Sequence, residues 1–293
     1  MIDDLQRIAL STGVDLDVQV AGDSAAPPII LLHGFPESHR TWRHIVPDLA
    51  RDHFVIAPDQ RGYARSSKPA GVDEYTADKI VGDLIALADH FGLTTFTLVG
   101  HDWGGAVAWM AALRHPDRVA RLVIVNAPHP FLMQRALFDD PDQRAASQYI
   151  TAFRNPAFED HIESLGISTF FDNSFLRHTD FDAIADEKPV YVDQWSQPGA
   201  MTAMLNWYRA SAIVVPAMDE TPERPAFLDG PFPPVVQPTL VIWGIDDVAL
   251  RPSLIEGLGD YVPDLTLTKV KAGHFVPWGN PAAVIDAIRD WEA

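Results

Sequence analysis

The stretch Val99-Gly100-His101-Asp102-Trp103-Gly104-Gly105 decides how this chain is read. Ahead of it, Thr95-Phe96-Thr97-Leu98-Val99 is apolar and β-branched, the composition of a buried strand. Behind it, Ala106 to His115 is rich in Ala, Trp, Met and Leu and stops before Pro116, which predicts a helix. A strand, a polar residue flanked by glycines and a helix make the nucleophile-elbow pattern Gly-x-Nuc-x-Gly. So tight a turn leaves no room for a side chain at Gly100 or Gly104. It lifts one side chain off the end of the sheet, at the positive end of a helix dipole. That side chain is Asp102 rather than Ser. Backbone N–H groups there hold a carboxylate ionised, and it can attack an electrophilic carbon directly. The blander alternative is an Asp capping a helix beside a glycine turn.

Strands and helices alternate outward from this turn. Residues 6–10 and 14–20 alternate in the manner of strands, with Ser11-Thr12-Gly13 between them, which predicts an antiparallel N-terminal pair. Pro28-Ile29-Ile30-Leu31-Leu32 is continuously apolar, as in a strand buried on both faces, and ends in His33-Gly34-Phe35-Pro36. Ser38 is placed to cap a helix reaching Leu49. His53 to Ala57 predicts another buried strand, followed by the turn formers Pro58-Asp59-Gln60-Arg61-Gly62-Tyr63. Tyr75 to Phe91 has helical spacing, with Ile80, Leu84, Leu87 and Phe91 on one face, and Arg121 to Val125 reads as the next strand. This order predicts an α/β fold, a mostly parallel sheet with helices on both faces.

From about Pro128 the pattern changes. Residues 129–234 carry no clear buried strand; they hold aromatics and helix-like stretches broken at Asn155-Pro156, Gln197-Pro198 and Glu223-Arg224-Pro225, and Pro231 to Pro234 ends the region. The α/β pattern then resumes with strand Thr239 to Trp243, the loop Gly244-Ile245-Asp246-Asp247 and a helix near Pro252 to Leu258. Strand Leu265 to Val270, the loop Ala272-Gly273-His274 and a helix from Pro281 to Trp291 follow. The expected organisation is a core over residues 1–128, an inserted helical cap or lid over 129–234, and the rest of the core over 235–293.

Composition narrows the function classes. At 293 residues and 47% hydrophobic, the chain suits one large domain or a core with an insertion. A net charge of −18 argues against a nucleic-acid partner and against an anionic membrane. Without cysteine there is no disulfide framework, thiolate zinc site or cysteine nucleophile. Met1-Ile2-Asp3-Asp4 is acidic and lacks the apolar region of a signal peptide. No apolar run approaches the roughly 18 residues of a membrane span. A soluble cytoplasmic enzyme, monomer or homodimer, is expected.

Asp102, Asp247 and His274 each follow a predicted strand, and strand C-termini line the ligand crevice of an open parallel sheet. The order nucleophile, acid, histidine is that of the α/β-hydrolases. Asp246 and Asp247 both qualify as the acid, and the spacing Gly-x-x-Asp favours Asp247; its task is to fix the tautomer of His274 and stabilise its protonated form. The turn His33-Gly34-Phe35-Pro36 can aim the Phe35 N–H into the site beside that of Trp103, making an oxyanion hole. His33 is expected to brace its loop, His101 to point away from the site, and Asp59-Gln60-Arg61-Gly62 to be a structural loop.

The chain resembles the epoxide hydrolases of the α/β-hydrolase fold, over nearly its whole length. The resemblance rests on His33-Gly34-Phe35-Pro36-Glu37-Ser38, Asp59-Gln60-Arg61-Gly62-Tyr63, Gly100-His101-Asp102-Trp103-Gly104-Gly105 and Gly273-His274-Phe275. An elbow with Asp followed by Trp is shared with haloalkane dehalogenases, so the cap distinguishes the two. Epoxide hydrolases carry two cap tyrosines that grip the epoxide oxygen. Leu205-Asn206-Trp207-Tyr208-Arg209 resembles the segment holding one of them, which implies Tyr208. The stretch from Gln148 through Tyr149 and Phe153 to Pro156 resembles the segment holding the other, which implies Tyr149. Tyr191 lacks such a context and is expected to pack.

The resemblance implies attack of Asp102 on an epoxide carbon, an alkyl ester, and hydrolysis of that ester by water activated at His274. No metal or organic cofactor is required, and the partners are a small, largely apolar epoxide and water. Phe131, Phe153, Trp195 and Trp207 are available to line the pocket where cap meets core, though most of them are expected to be core. A haloalkane dehalogenase would use Asp102 identically, but its usual second N–H donor, often Asn where Phe35 stands, is not evident. A haloacetate dehalogenase typically has Arg where Trp103 stands, and an esterase needs Ser or Cys at position 102. A non-enzymatic scaffold on this fold normally has a broken triad.

Overall fold

A computed structural model of the chain describes residues 5–175 and 183–293; Met1-Ile2-Asp3-Asp4, considered above for a leader, lies outside them. Eight strands form one sheet: β1 (Leu5–Ala9), β2 (Asp15–Ala21), β3 (Pro28–Leu32), β4 (Phe54–Pro58), β5 (Phe96–His101), β6 (Val119–Val125), β7 (Thr239–Gly244) and β8 (Leu265–Val270). Their order is β1-β2-β4-β3-β5-β6-β7-β8. The β1–β2 and β2–β4 pairs are antiparallel and every other pair is parallel.

The apolar runs explain this arrangement. A strand sends alternate side chains to opposite faces, so a strand apolar throughout is stable only when both faces are covered. In β3, Ile30 and Leu32 join one core with Leu98, Leu122, Ile124 and Trp109, while Ile29 and Leu31 join the other with Val99, Val123, Leu240 and Ile288. Helices α2 (Ala77–His90) and α3 (Trp103–Arg114) cover the first face, and α12 (Pro281–Glu292) covers the second. The edge strand β8 has mostly half-exposed and exposed residues, as a strand with one open side requires.

Local structure departs from the sequence reading in three places. The helix expected from Ser38 to Leu49 is split into a 3-10 turn, His39–Trp42, and a short helix α1, Val46–Leu49. Ser38 does cap the turn, but the His39 amide and ring both bond the buried Asp59, which commits this segment to its neighbour loop. The helix expected near Pro252 to Leu258 is instead two 3-10 turns, Pro252–Ile255 and Leu258–Asp260, separated by Gly257 at φ 73°. The elbow helix begins at Trp103, three residues before Ala106.

Between β6 and β7 the chain is helical: α4 (Pro130–Asp139), α5 (Pro141–Ala146), α6 (Gln148–Arg154), α7 (Phe158–Leu165), α8 (Ile167–Phe175), α9 (Lys188–Trp195) and α10 (Ala200–Ala210). The breaks at Asn155-Pro156 and Gln197-Pro198 fall where α6 and α9 end. These helices are fastened over the strand ends by buried polar contacts. The indole N–H of Trp195 donates to Pro36 O at 2.8 Å, and that of Trp207 donates to Arg61 O at 3.0 Å. Arg40 and Arg43 both pair with Glu187. A short helix, α11 (Val276–Gly279), follows the last loop.

Candidate active site

The site is built from the ends of β3, β5, β6 and β7 and the loop after β8. At its centre the backbone of Asp102 adopts φ 50° and ψ −120°, a conformation that costs a non-glycine residue about 1–3 kcal/mol and recurs at functional turns. The flanking glycines permit it. A Cβ on Gly100 would strike the Gly104 carbonyl, and one on Gly104 would strike the Leu32 carbonyl of β3.

The Phe35 N–H donates to Asp102 Oδ1 at 2.7 Å. The other oxygen, Oδ2, lies 3.5 Å from His274 Nε2. On the far side of the ring, His274 Nδ1 meets Asp247 Oδ2 at 2.7 Å. Asp247, not the exposed Asp246, makes this contact. Its Oδ1 accepts from the amides of Ala249 and Leu250, both at 2.9 Å. Its Oδ2 also accepts from Asn126 Nδ2 at 2.7 Å, and Asn126 Oδ1 accepts from the Gly244 amide at 2.7 Å. Asn126 therefore holds the acid from the end of β6.

Burial and charge oppose one another in this row. Burial alone would raise the Asp102 carboxyl, but the bond and charge of His274, with His101 and the Phe35 N–H, hold it below the usual carboxylate range. Asp247 is lowered in the same way against its own burial, chiefly by His274. Burial disfavours a charged His274, yet its two carboxylate neighbours raise it well above an ordinary histidine. Each group is thus pushed toward its charged form by its neighbours.

The other histidines take structural places. His33 Nε2 accepts from the Gln60 amide at 3.0 Å, so its Nδ1–H donates to Gly34 O at 2.9 Å. Burial lowers its pKa and keeps it neutral. His101 points away from the cavity: its Nδ1 meets Glu37 Oε2 at 2.9 Å and its Nε2–H donates to His274 O at 3.0 Å. Glu37 Oε1 accepts from the Trp278 indole at 2.6 Å. The Asp59-to-Gly62 loop binds outward more than internally, with Arg61 forked on Asp83 at 2.6 and 2.7 Å. The sequence reading assigned no role to Glu37 or Asn126. Glu37 stood inside a quoted motif, and Asn126 follows a predicted strand, the signal used for Asp102, Asp247 and His274.

A cavity of about 440 Å³ opens over Asp102 and His274. Tyr149 of α6 and Tyr208 of α10 both line it, with ring centroids 6.2 Å apart. Burial raises both phenols, and the negative charge of Asp102 raises them further. The Trp103 side chain beside it pulls Tyr208 the other way. Tyr191 packs instead among Phe171, Phe175, Trp195 and Trp278. Of the four aromatics available to the pocket, Phe153 lines it and the other three are core, as expected of most of them. Phe131 packs on Phe232 and Tyr261, while Trp195 and Trp207 turn their indoles to the backbone carbonyls of the core. An indole N–H needs a partner when buried, and those carbonyls supply one. Among the described residues no group of three His, Asp or Glu side chains is disposed to hold a metal ion, and no helix is long and apolar enough to cross a membrane.

The chain belongs to the alpha/beta hydrolase fold family, whose profile matches residues 27–281. Within that family it is similar to epoxide hydrolases. A solved structure from a study of novel epoxide hydrolases of the alpha/beta hydrolases superfamily, from metagenomes of hot environments, is 45% identical. It covers 100% of this chain and 99% of its own, with a TM-score of 0.92. The Bacillus megaterium epoxide hydrolase, solved with an inhibitor, is 27% identical over 98% of this chain and 99% of its own, with a TM-score of 0.85. A Bacillus subtilis (strain 168) protein named AB hydrolase superfamily protein YfhM is 34% identical over 96% of this chain and 95% of its own.

Proposed function

We propose that this protein is an epoxide hydrolase, converting an epoxide and water to a vicinal diol through an ester on Asp102. The observation that carries the reading is that Tyr149 and Tyr208 line one cavity with Asp102 and His274. In this reading residues 129–234 are the cap, and 1–128 with 235–293 the core.

Asp102 Oδ2 attacks a ring carbon, and the carbon–oxygen bond of the epoxide breaks. An alkoxide is a poor leaving group, so one of the two phenols gives it a proton as the charge develops. The ester removes the negative charge of Asp102, one of the influences that hold the proton on His274. The imidazolium then sheds its proton, which restores the phenol, and neutral His274 becomes a base. It takes a proton from water as the water oxygen attacks the Asp102 carbonyl carbon. Oδ1 becomes the oxyanion, in the place where it already accepts from Phe35, with the Trp103 N–H as the second donor. Collapse breaks the Cγ–Oδ2 bond. The diol leaves with Oδ2 and the acid proton, and carboxylate and imidazolium are restored.

A dehalogenase would expel halide without a proton and has no use for two phenols. The Trp103 ring, which that chemistry would turn to halide, packs edge to face on Tyr208 with centroids 5.0 Å apart. Purified protein assayed in parallel with styrene oxide and 1-bromobutane is expected to yield diol and no bromide. Bromide release without diol would overturn the reading.

A further inference from the structure

Resting on the epoxide reading, we propose that Arg154 is a positioning residue for that reaction: it fixes the helix that carries Tyr149 to the backbone that carries Tyr208. The two phenols sit on different helices, Tyr149 on α6 and Tyr208 on α10. Arg154 is the last residue of α6. Its guanidinium crosses to the C-terminal end of α10. There Nε donates to Tyr208 O at 2.9 Å, and Nη2 donates to Ser211 O at 2.9 Å and to Ile213 O at 2.8 Å. The last four carbonyls of a helix have no partner within it, and Tyr208 O is one of them. The peptide of one phenol residue is thus bonded directly to the helix of the other.

Water or a glycine turn closes most helix ends at no electrostatic cost. A half-buried guanidinium does so while losing hydration, which burial registers by pulling the pKa of Arg154 below the ordinary arginine value. Arg209, in the same turn as Tyr208, offsets that loss by pairing with Glu159 at 2.6 Å. Arg154 binds carbonyls, and among the described residues no carboxylate pairs with it. What its fork supplies and water does not is rigidity, because one planar group holding three carbonyls fixes both the spacing and the rotation of the two segments. Phe153, beside Arg154, packs on both phenol rings, with centroids 5.6 Å from Tyr149 and 4.9 Å from Tyr208. Both hydroxyls must meet one epoxide oxygen, so a shift of either helix takes a donor off its target.

The test is a double-mutant cycle on alkylation, followed by stopped-flow with styrene oxide. Arg154→Met keeps an apolar stem and removes the fork. It is expected to slow alkylation by about tenfold to a hundredfold, and to leave hydrolysis of ester already formed within about twofold of wild type. In the background of Tyr149→Phe with Tyr208→Phe, the same change is expected to cost less than about threefold, because the groups it aims are gone. An arginine that only holds the fold together costs the same in both backgrounds. Equal losses therefore overturn the proposal, as does a wild-type alkylation rate in Arg154→Met. Arg154→Lys, which keeps the charge and loses the fork, takes its place if that variant does not fold. A double phenol variant that alkylates at the wild-type rate shows instead that the epoxide reading of the tyrosines is wrong, and the proposal falls with it.

Discussion

Phe35 and Asp102 are joined by a backbone N–H to Oδ1 bond of 2.7 Å, so the two oxygens of this carboxylate are not equivalent before any substrate arrives. Oδ1 is held where an oxyanion will form, and Oδ2 faces His274 Nε2 at 3.5 Å. In a single turnover in oxygen-18 water, the diol is therefore expected to carry unlabelled protein oxygen, and Asp102 to gain the label. Mass spectrometry of the peptide containing Asp102 reads this directly. An unlabelled peptide with labelled diol excludes the ester.

The proton on His274 sets a second expectation. Alkylation needs ionised Asp102, whose carboxyl is held low, whereas ester hydrolysis needs neutral His274. In the ester His274 has lost the charge of Asp102 and keeps that of Asp247; it is neutral only above its pKa in that state, so lowering the pH starves the second step first. Between about pH 8 and about pH 5 the fraction of alkyl-enzyme during turnover is expected to grow. His274→Gln should alkylate and stop, leaving protein plus one substrate in the mass spectrum. Full turnover by that variant removes His274 from the mechanism.

The two phenols are separable from the rest of the site. Tyr208→Phe removes one hydroxyl and almost no volume. Losing one donor at a developing oxyanion typically costs about 3 kcal/mol, roughly a hundredfold in rate. Tyr149 and Tyr208 share one charge, so the single change is expected to cost less and the double change with Tyr149→Phe more. The loss should appear in alkylation, followed by stopped-flow, and not in hydrolysis of ester already formed. A double variant within about threefold of wild type, a change of only ~0.7 kcal/mol, returns the dehalogenase reading.

His129 makes stability depend on pH. Its ring is buried against Trp109, Phe232 and Tyr261, and among the described residues neither nitrogen finds a hydrogen-bond partner. Burial pushes its pKa down to about 4 from 6.5. A depressed folded pKa means that the full contribution is present above 6.5 and is lost as pH falls toward 4. Between about pH 7 and about pH 4.5 wild type is expected to lose about 2–3 kcal/mol that His129→Phe keeps, as the difference between their urea unfolding curves. Equal losses in both proteins show that His129 is not the group responsible.

The parallel strands were legible because strands buried on both faces leave continuous apolar runs, and Pro28 to Leu32 is read to the residue. The elbow was legible because its two glycines have no other use. Spacing favoured Asp247 over Asp246, and the structure places Asp247, buried, beside His274. Asn126 was hidden: its work is done across the chain, on Gly244 and Asp247, and no local pattern records such a bond. That most of the candidate aromatics would be core was expected, but composition says only that a tryptophan is inside, not which way its N–H turns. The helix expected near Pro252 ends at Glu256, whose backbone is extended, and Gly257 in the left-handed region opens a second turn.

The indole of Trp207 ties the residue beside Tyr208 to Arg61 O, and Arg61 is itself clamped by Asp83 on α2. The residue next to the phenol is thus braced, like a part held against a gauge block, by an ion pair between the core loop and α2. Misplacement of a reacting group by about 1 Å can cost a hundredfold in rate. Asp83 lies outside the cavity lining, yet this train of contacts links it to the phenol that the proposed mechanism uses as an acid. Under that mechanism the accuracy of the chemistry depends on an ion pair in the scaffold as well as on the groups that react.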